Sequence, residues 1–187
     1  MARAAVFLDR DDTLIVNVPY LGDPEGVVLL NGVREGLWRL KGAGLALVVI
    51  TNQSGVGRGL ISVEQVEAVN RRVMELVGEG VIERVYSCYG TPEWDPEGCR
   101  KPSPRLVWQA ARELDLDLGR SFFIGDRRSD MLCARNAGVK GVLVLTGRHD
   151  PAEVERAKGE ADWVARDFAE AVGWVMVRLK EAMDGRI

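Results

Sequence analysis

An α/β fold, with a parallel sheet wrapped by helices in a single domain over residues 1–187, is predicted by three observations. Short β-branched runs alternate along the chain with longer stretches of helical periodicity. Several of those runs are apolar at consecutive positions, the pattern of strands covered on both faces. No repeat, low-complexity segment or Pro/Gly/Ser linker divides the 187 residues, a length that suits one domain.

The elements follow in order. Ala4–Leu8 is the first candidate strand. Val33–Gly42 carries a helical pattern and leads into a strand at Leu45–Thr51. Ser62 and Gln65 form a capping box that opens a helix over Val63–Val77, where Val66, Val69, Val73 and Met74 recur at helical spacing. Arg84–Cys88 is the next strand. Ser103-Pro104 reads as N-cap and first position of a helix through about Leu114. Ser121–Gly125 and Gly141–Leu145 are strands on either side of a helix over Ser129–Gly138, with Gly138 suited to a C′ position. Asp150-Pro151 starts another helix, and a short strand at Asp162–Ala165 precedes a last helix over Arg166–Met183.

Composition narrows the function classes. Hydrophobic residues make up 47% and charged residues 28%, enough for a buried core under a solvated surface. The net charge of −3 lacks the basic excess of a nucleic-acid or membrane-surface binder. Apolar runs such as Leu45–Ile50 fall far short of the roughly 20 residues of a membrane span. Ala4–Leu8 is too short for the core of a signal peptide. Cys88, Cys99 and Cys133 make no even framework, so a reduced, cytoplasmic setting is expected, for a monomer or weak homo-oligomer. His149, the one histidine, excludes any mechanism that needs two and reads as an exposed loop residue. Cys133, Trp38, Trp108, Trp163 and Trp174 fall within helical or strand patterns and are expected in the core.

In a parallel sheet, ligands bind outside the carboxyl ends of the strands. Four such ends deliver polar segments: Asp9-Arg10-Asp11-Asp12-Thr13, Thr51–Gly55, the Cys88–Lys101 loop, and Gly125–Asp130. Asp9 and Asp11 lie two apart, so both carboxylates share a face while the chain stays extended. Crowding them with Asp126 and Asp130 is unfavourable, since like charges about 4 Å apart repel by several kcal/mol at an effective dielectric near 20. A hard cation such as Mg2+ resolves that conflict, and Lys101 adds a fixed positive charge. Metal, carboxylate nucleophile and lysine together suit attack on an electrophilic phosphorus.

Asp9-x-Asp11-x-Thr13 after an apolar strand, Thr51 ending another, Arg100-Lys101-Pro102, and Gly125-Asp126-x-x-x-Asp130 resemble the four motifs of haloacid dehalogenase (HAD) superfamily phosphatases. Leu8–Asp11, Asn17–Tyr20, Ile50–Val56, Arg58-Gly59 and Val144–Gly147 resemble its heptose 1,7-bisphosphate and histidinol-phosphate phosphatase branch. The resemblance runs from about residue 5 to 175. It implies a Rossmann-like HAD domain and a phosphomonoesterase acting through an aspartyl-phosphate. Asp9 would be the nucleophile and Asp11 the acid, then the base. Thr51 and Lys101 would hold the phosphoryl group. Mg2+ would sit on Asp9, the backbone carbonyl of Asp11, and Asp126. Asn17, Tyr20, Asn52, Arg100 and Arg127 would meet a small-molecule substrate, and Asp130 would orient Lys101 or the loop rather than touch the metal. Polynucleotide 3′-phosphatases share two of the motifs but need a basic track. A non-catalytic phosphate-binding relative is the reading from another class.

Two positions depart from the branch. Asp12 stands where it has Gly, and Asp tolerates the left-handed backbone such a turn needs. The branch's Cys-x-His … Cys-x-Cys zinc loop is reduced to Cys88-x-Gly90 and Glu97-x-Cys99, so structural zinc is not expected. Glu93 or Glu97 would complete only a poor site. The loop is expected to be held by Pro92, Trp94 and Pro96, with Trp94 a candidate substrate contact. The 37 residues from 14 to 50 and the 49 from 52 to 100 leave no room for a cap domain, so an open mouth is expected. Cys99 and Arg105 match Cys-x5-Arg, but Pro102 and Pro104 lack the N–H groups a phosphate loop uses. Gly55-x-Gly57-x-Gly59 places its third glycine one position early for a dinucleotide fingerprint.

Overall fold

Six parallel strands form one sheet in the order β3-β2-β1-β4-β5-β6, with β1 Ala5–Leu8, β2 Ala46–Asn52, β3 Arg84–Cys88, β4 Phe122–Gly125, β5 Lys140–Val144 and β6 Trp163–Ala165. The structure is a computed structural model that describes residues 2–185, with Met183 described by its backbone alone. The chain starts in the middle of the sheet, moves outward through β2 and β3, and returns beside β1 to build β4, β5 and β6. That reversal opens a crevice above the carboxyl ends of β1 and β4, where ligands bind in sheets of this type. None of the described helices is long and apolar enough to cross a membrane.

Alternation along the strands fills both faces. Val6, Leu8, Leu47, Val49 and Ile124 point into one apolar layer shared with helices α1 (Val33–Gly42), α3 (Val63–Val77) and α7 (Phe168–Met183). Ala5, Phe7, Val48, Ile50 and Phe123 point into the other, closed by α4 (Arg105–Leu114) and α5 (Arg128–Ala137). Phe7 and Phe123 stack across neighbouring strands with centroids 6.4 Å apart. With both faces covered, the strands need no polar alternation, which is why they read as continuous apolar runs.

The capping box of α3 forms as its sequence predicts: the Ser62 hydroxyl accepts from Gln65 N–H and the Gln65 side chain accepts from Ser62 N–H. Asp150 caps α6 (Pro151–Lys158) through Ala152 N–H. A four-residue α2 (Ser54–Gly57) and two 3-10 turns, at Pro24–Gly26 and Leu118–Arg120, carry no periodic signal and go beyond the sequence expectation. α4 starts one residue late because Pro104 serves as its N-cap. α7 starts at Phe168, where Asp167 accepts from Glu170 N–H.

Three tryptophans expected in the core are half exposed: Trp38 at 50%, Trp108 at 50% and Trp163 at 41%. Each sits at the margin of an amphipathic pattern. Trp38 lays its ring beside Gly78 and donates to the Val77 carbonyl at 3.0 Å, while Trp163 stacks on Trp174 with centroids 5.9 Å apart. Cys133 is fully buried as expected, and burial pushes its thiol up to about 12.

Candidate active site

Four strand ends meet above the crevice. Asp9 directly follows β1, and its backbone N–H donates to the Ile124 carbonyl at 2.9 Å, which pins it beside β4. The chain then turns sharply. Asp12 takes φ +59°, the left-handed conformation that the substitution for Gly required it to tolerate. Asn17 Nδ2 donates to the Asp12 carboxylate at 3.1 Å.

Lys101 is buried at the centre, with its side chain 2% exposed. Its Nζ donates to Asp9 Oδ1 at 2.5 Å and to the Ile50 carbonyl at 2.9 Å, and lies 2.7 Å from Asp130 Oδ1. Burial pulls the ammonium down, but the charges of Asp130 and Asp9 outweigh it and hold Lys101 protonated. Asn52 fixes the lysine from behind: its Oδ1 accepts from Lys101 N–H and its Nδ2 donates to the Lys101 carbonyl. Asp130, in the first turn of α5, also accepts from Arg127 N–H at 3.0 Å. Gly125 is required here, because a Cβ at that position would lie 2.5 Å from the Asp130 side chain.

Desolvation dominates the electrostatics. Burial pushes Asp9 up to about 6 despite Lys101, and pushes Asp126 up to about 6 despite the hydrogen bond from His149. Asp130 shifts in the same direction for the same reason. Oxygens of Asp9, Asp126 and Asp130 lie within 4.8 Å of one another; Lys101 pairs with Asp9 and Asp130, and His149 with Asp126. A divalent cation fits this donor set: hard oxygen ligands converge where negative charge has been taken out of water.

Asp11 is held from two sides. Gln53 Nε2 donates to Asp11 Oδ2 and lies equally close to Thr51 Oγ1, both at 2.8 Å. On the other side the Arg10 guanidinium reaches both oxygens of the same carboxylate at 3.1 Å. Arg10 and Gln53 stand in the quoted motifs, but nothing in their spacing marks them for this contact.

Asp9, Asp11, Asn17, Tyr20, Asn52, Arg100, Lys101 and Arg127 all line one open cleft of about 390 Å³. Thr51 is buried beneath it, and Asp126 lies beside it with 3% exposure. Tyr20 holds φ +55°, an uncommon conformation for a bulky residue, and is 47% exposed at the rim. Trp94 is 63% exposed and does not line the cleft.

Two further expectations need correction. His149 is not an exposed loop residue: its Nε2 lies 2.5 Å from Asp126 Oδ2, which raises its pKa. The loop after β5 folds back over the β4 end, and Thr146 donates its hydroxyl to the Asp12 carbonyl. The cysteines are not an unpaired set: Cys88 and Cys99 form a disulfide, with Cα atoms 5.6 Å apart, and Cys133 is free. Cys88 ends β3 and the loop returns beside it, a closure that spacing alone did not reveal. The loop is therefore held by this bond and by Asp95, with Trp94 contributing through its backbone: its N–H donates to Thr91 Oγ1 at 3.0 Å and its carbonyl accepts from Thr91 N–H at 2.8 Å. The Asp95 carboxylate approaches both sulfurs and accepts from Arg100 N–H at 2.9 Å, while Arg100 Nη1 donates to the Gly90 carbonyl. Glu93 faces away and pairs with Arg58.

Comparison with known proteins agrees with this geometry. Residues 98–171 match a family model described as HAD-hyrolase-like. A D-glycero-D-manno-heptose-1,7-bisphosphate 7-phosphatase from Thermosynechococcus vestitus is 37% identical, covering 96% of this chain and 98% of that protein. The D-glycero-beta-D-manno-heptose-1,7-bisphosphate 7-phosphatase of Haemophilus ducreyi is 35% identical over 94% of this chain and 100% of its own. Among solved structures, the D,D-heptose 1,7-bisphosphate phosphatase from B. bronchiseptica complexed with magnesium and phosphate superimposes with a TM-score of 0.81. That structure is 26% identical, over 93% of this chain and 98% of its own. The chain is a phosphatase that belongs to the HAD superfamily, in the family of the heptose-bisphosphate phosphatases.

Proposed function

We propose that the chain is a Mg2+-dependent phosphomonoesterase that removes the C7 phosphate of D-glycero-D-manno-heptose 1,7-bisphosphate through an aspartyl-phosphate. The observation that carries this substrate is the end-to-end match to relatives of that name. The cleft supports it: Arg100 and Arg127 line it with Asp9 and Lys101, providing cations for a second phosphate. A net charge of −3 gives no support to a polynucleotide substrate.

Asp9, the Asp11 carbonyl and Asp126 would hold Mg2+, whose charge, when bound, offsets that of the phosphoryl oxygens. Asp9 attacks phosphorus, and a bond from its carboxylate forms as the bond from phosphorus to the sugar oxygen breaks. Asp11 gives its proton to the departing oxygen. It then takes a proton from the water that attacks the aspartyl-phosphate, releasing inorganic phosphate and restoring Asp9. Lys101 offsets charge on the phosphoryl group, and the Thr51 hydroxyl donates to it. Asn17, Tyr20 and Asn52 meet the sugar side.

The test is phosphate release from heptose 1,7-bisphosphate, histidinol phosphate and a 3′-phosphorylated oligonucleotide, with Mg2+ and with chelator. Heptose bisphosphate should turn over fastest, only with Mg2+, and Asp9→Asn should lose about 10⁴-fold or more. Preference for either other ester would overturn the substrate, and turnover undiminished in Asp9→Asn would overturn the mechanism.

A further inference from the structure

Among the described residues Arg10 is the bulkiest that is fully buried, 1% exposed, and none of the other described arginines is buried. A guanidinium taken out of water needs partners for its donors. Here Nε and Nη2 face the Asp11 carboxylate at 3.1–3.3 Å, and Nη1 donates to Asn70 Oδ1 at 2.8 Å. Asn70 is itself a polar residue on the buried face of α3, among Val66, Val69, Val73 and Val77, and is 7% exposed. Its Nδ2 donates to Ser87 Oγ of β3 at 3.2 Å. A chain of polar contacts thus runs from β3 through α3 to Asp11, whose side chain remains 23% exposed and faces the cleft.

Packing alone does not call for this arrangement. An apolar side chain at 10 and a leucine at 70 would fill the same space without burying a charge. What the arrangement provides is a planar fork that fixes both oxygens of one carboxylate in direction as well as distance. Gln53 completes the grip from the other side, where it also meets Thr51.

We infer that Arg10, anchored by Asn70, is a positioning residue that aims the Asp11 carboxyl at the leaving-group oxygen. This rests on the proposed acid role of Asp11, and leaving-group dependence separates the two. In kcat/KM, which reports steps through departure of the leaving group, a sugar alkoxide needs a proton from Asp11. The phenolate of 4-nitrophenyl phosphate leaves without one.

With Mg2+ saturating, Arg10→Met should lower kcat/KM for the sugar phosphate about 10²-fold and for 4-nitrophenyl phosphate less than about 3-fold. Arg10→Lys keeps the charge but loses the fork and should fall between Arg10→Met and the unaltered protein. Asn70→Leu, remote from the substrate, should repeat the split in weaker form. Circular dichroism and thermal midpoints establish that each variant is folded. Equal losses on both esters in folded Arg10→Met and Asn70→Leu would mean a structural role and overturn the inference. Asp11→Asn is the reference. If it shows the split and the Arg10 variants do not, positioning by Arg10 is wrong. If Asp11→Asn shows no split, the acid role of Asp11 falls, and this inference with it.

Discussion

The two ends of the sheet treat charge in opposite ways. At the carboxyl end Lys101, Asp9 and Asp130 are locked together with side-chain exposures of 2%, 10% and 1%. At the amino end Glu83 bridges Arg3 and Lys41 at 2.9 and 3.0 Å, and these cations stay 48% and 33% exposed. Distances are alike; solvation is not. Charges left in water attract weakly and are easily replaced, whereas charges withdrawn from it must be satisfied by neighbours fixed in place. The fold carries that burden where the strands deliver Asp9 and Asp130.

The largest effect on stability should therefore come from Lys101→Met. It removes the one cation between Asp9 and Asp130 and leaves two buried carboxylates facing each other. Urea unfolding without metal at pH 7 should show a loss of about 3–5 kcal/mol. Added Mg2+ should restore part of it, since the same oxygens then gain a counter-charge. A loss below about 1 kcal/mol would mean that the carboxyl end is solvated like the amino end.

Next comes the disulfide, which sits on the carboxyl end and holds the loop that presents Arg100. A closed loop with a sequence separation of 11 gives about 2–3 kcal/mol on the chain-entropy account. Replacing both cysteines by alanine should cost that much and raise KM through the freed Arg100. Thiol titration checks the pairing itself. The native protein should show no reactive thiol, because Cys133 is buried. Unfolding without reductant should expose one, and reduction should expose three. Three thiols before reduction would refute the bond.

The same contrast explains what could be read in advance. Strand cores and helix caps are local: Ser62 and Gln65 are three apart, and each strand shows its burial in its own apolar run. Asp9, Asp11, Thr51, Lys101 and Asp126 were legible because each stands at a strand end or in a recognisable motif. What stayed hidden depends on segments that meet only in the fold. Arg10 finds Asn70 across 60 residues, and His149 finds Asp126 across 23. A polar Asn70 on an otherwise valine-lined helix face was a usable signal. His149 and the Cys88–Cys99 pair gave none, since loop closure is not periodic.

The smallest effect belongs to the amino end, and pH reveals its sign. The hydrogen bond from Arg3 is the largest cause holding the Glu83 carboxyl below its ordinary value of 4.5, with Lys41 adding to it. A group whose pKa is lower in the folded chain releases its proton more readily there than when unfolded. Its contribution is therefore complete above the unfolded value and disappears as pH falls through the folded one. Because the cations are well exposed, the gain at pH 7 should be no more than about 1 kcal/mol, and salt should screen it. Unfolding free energies of the chain and of Glu83→Gln should differ by that amount at pH 7 and converge below pH 4.5, as the carboxylate is lost. A difference above about 2 kcal/mol at pH 7 would mean that water does not weaken this pair. The amino end would then be as tightly coupled as the site, and burial could no longer be what separates the two.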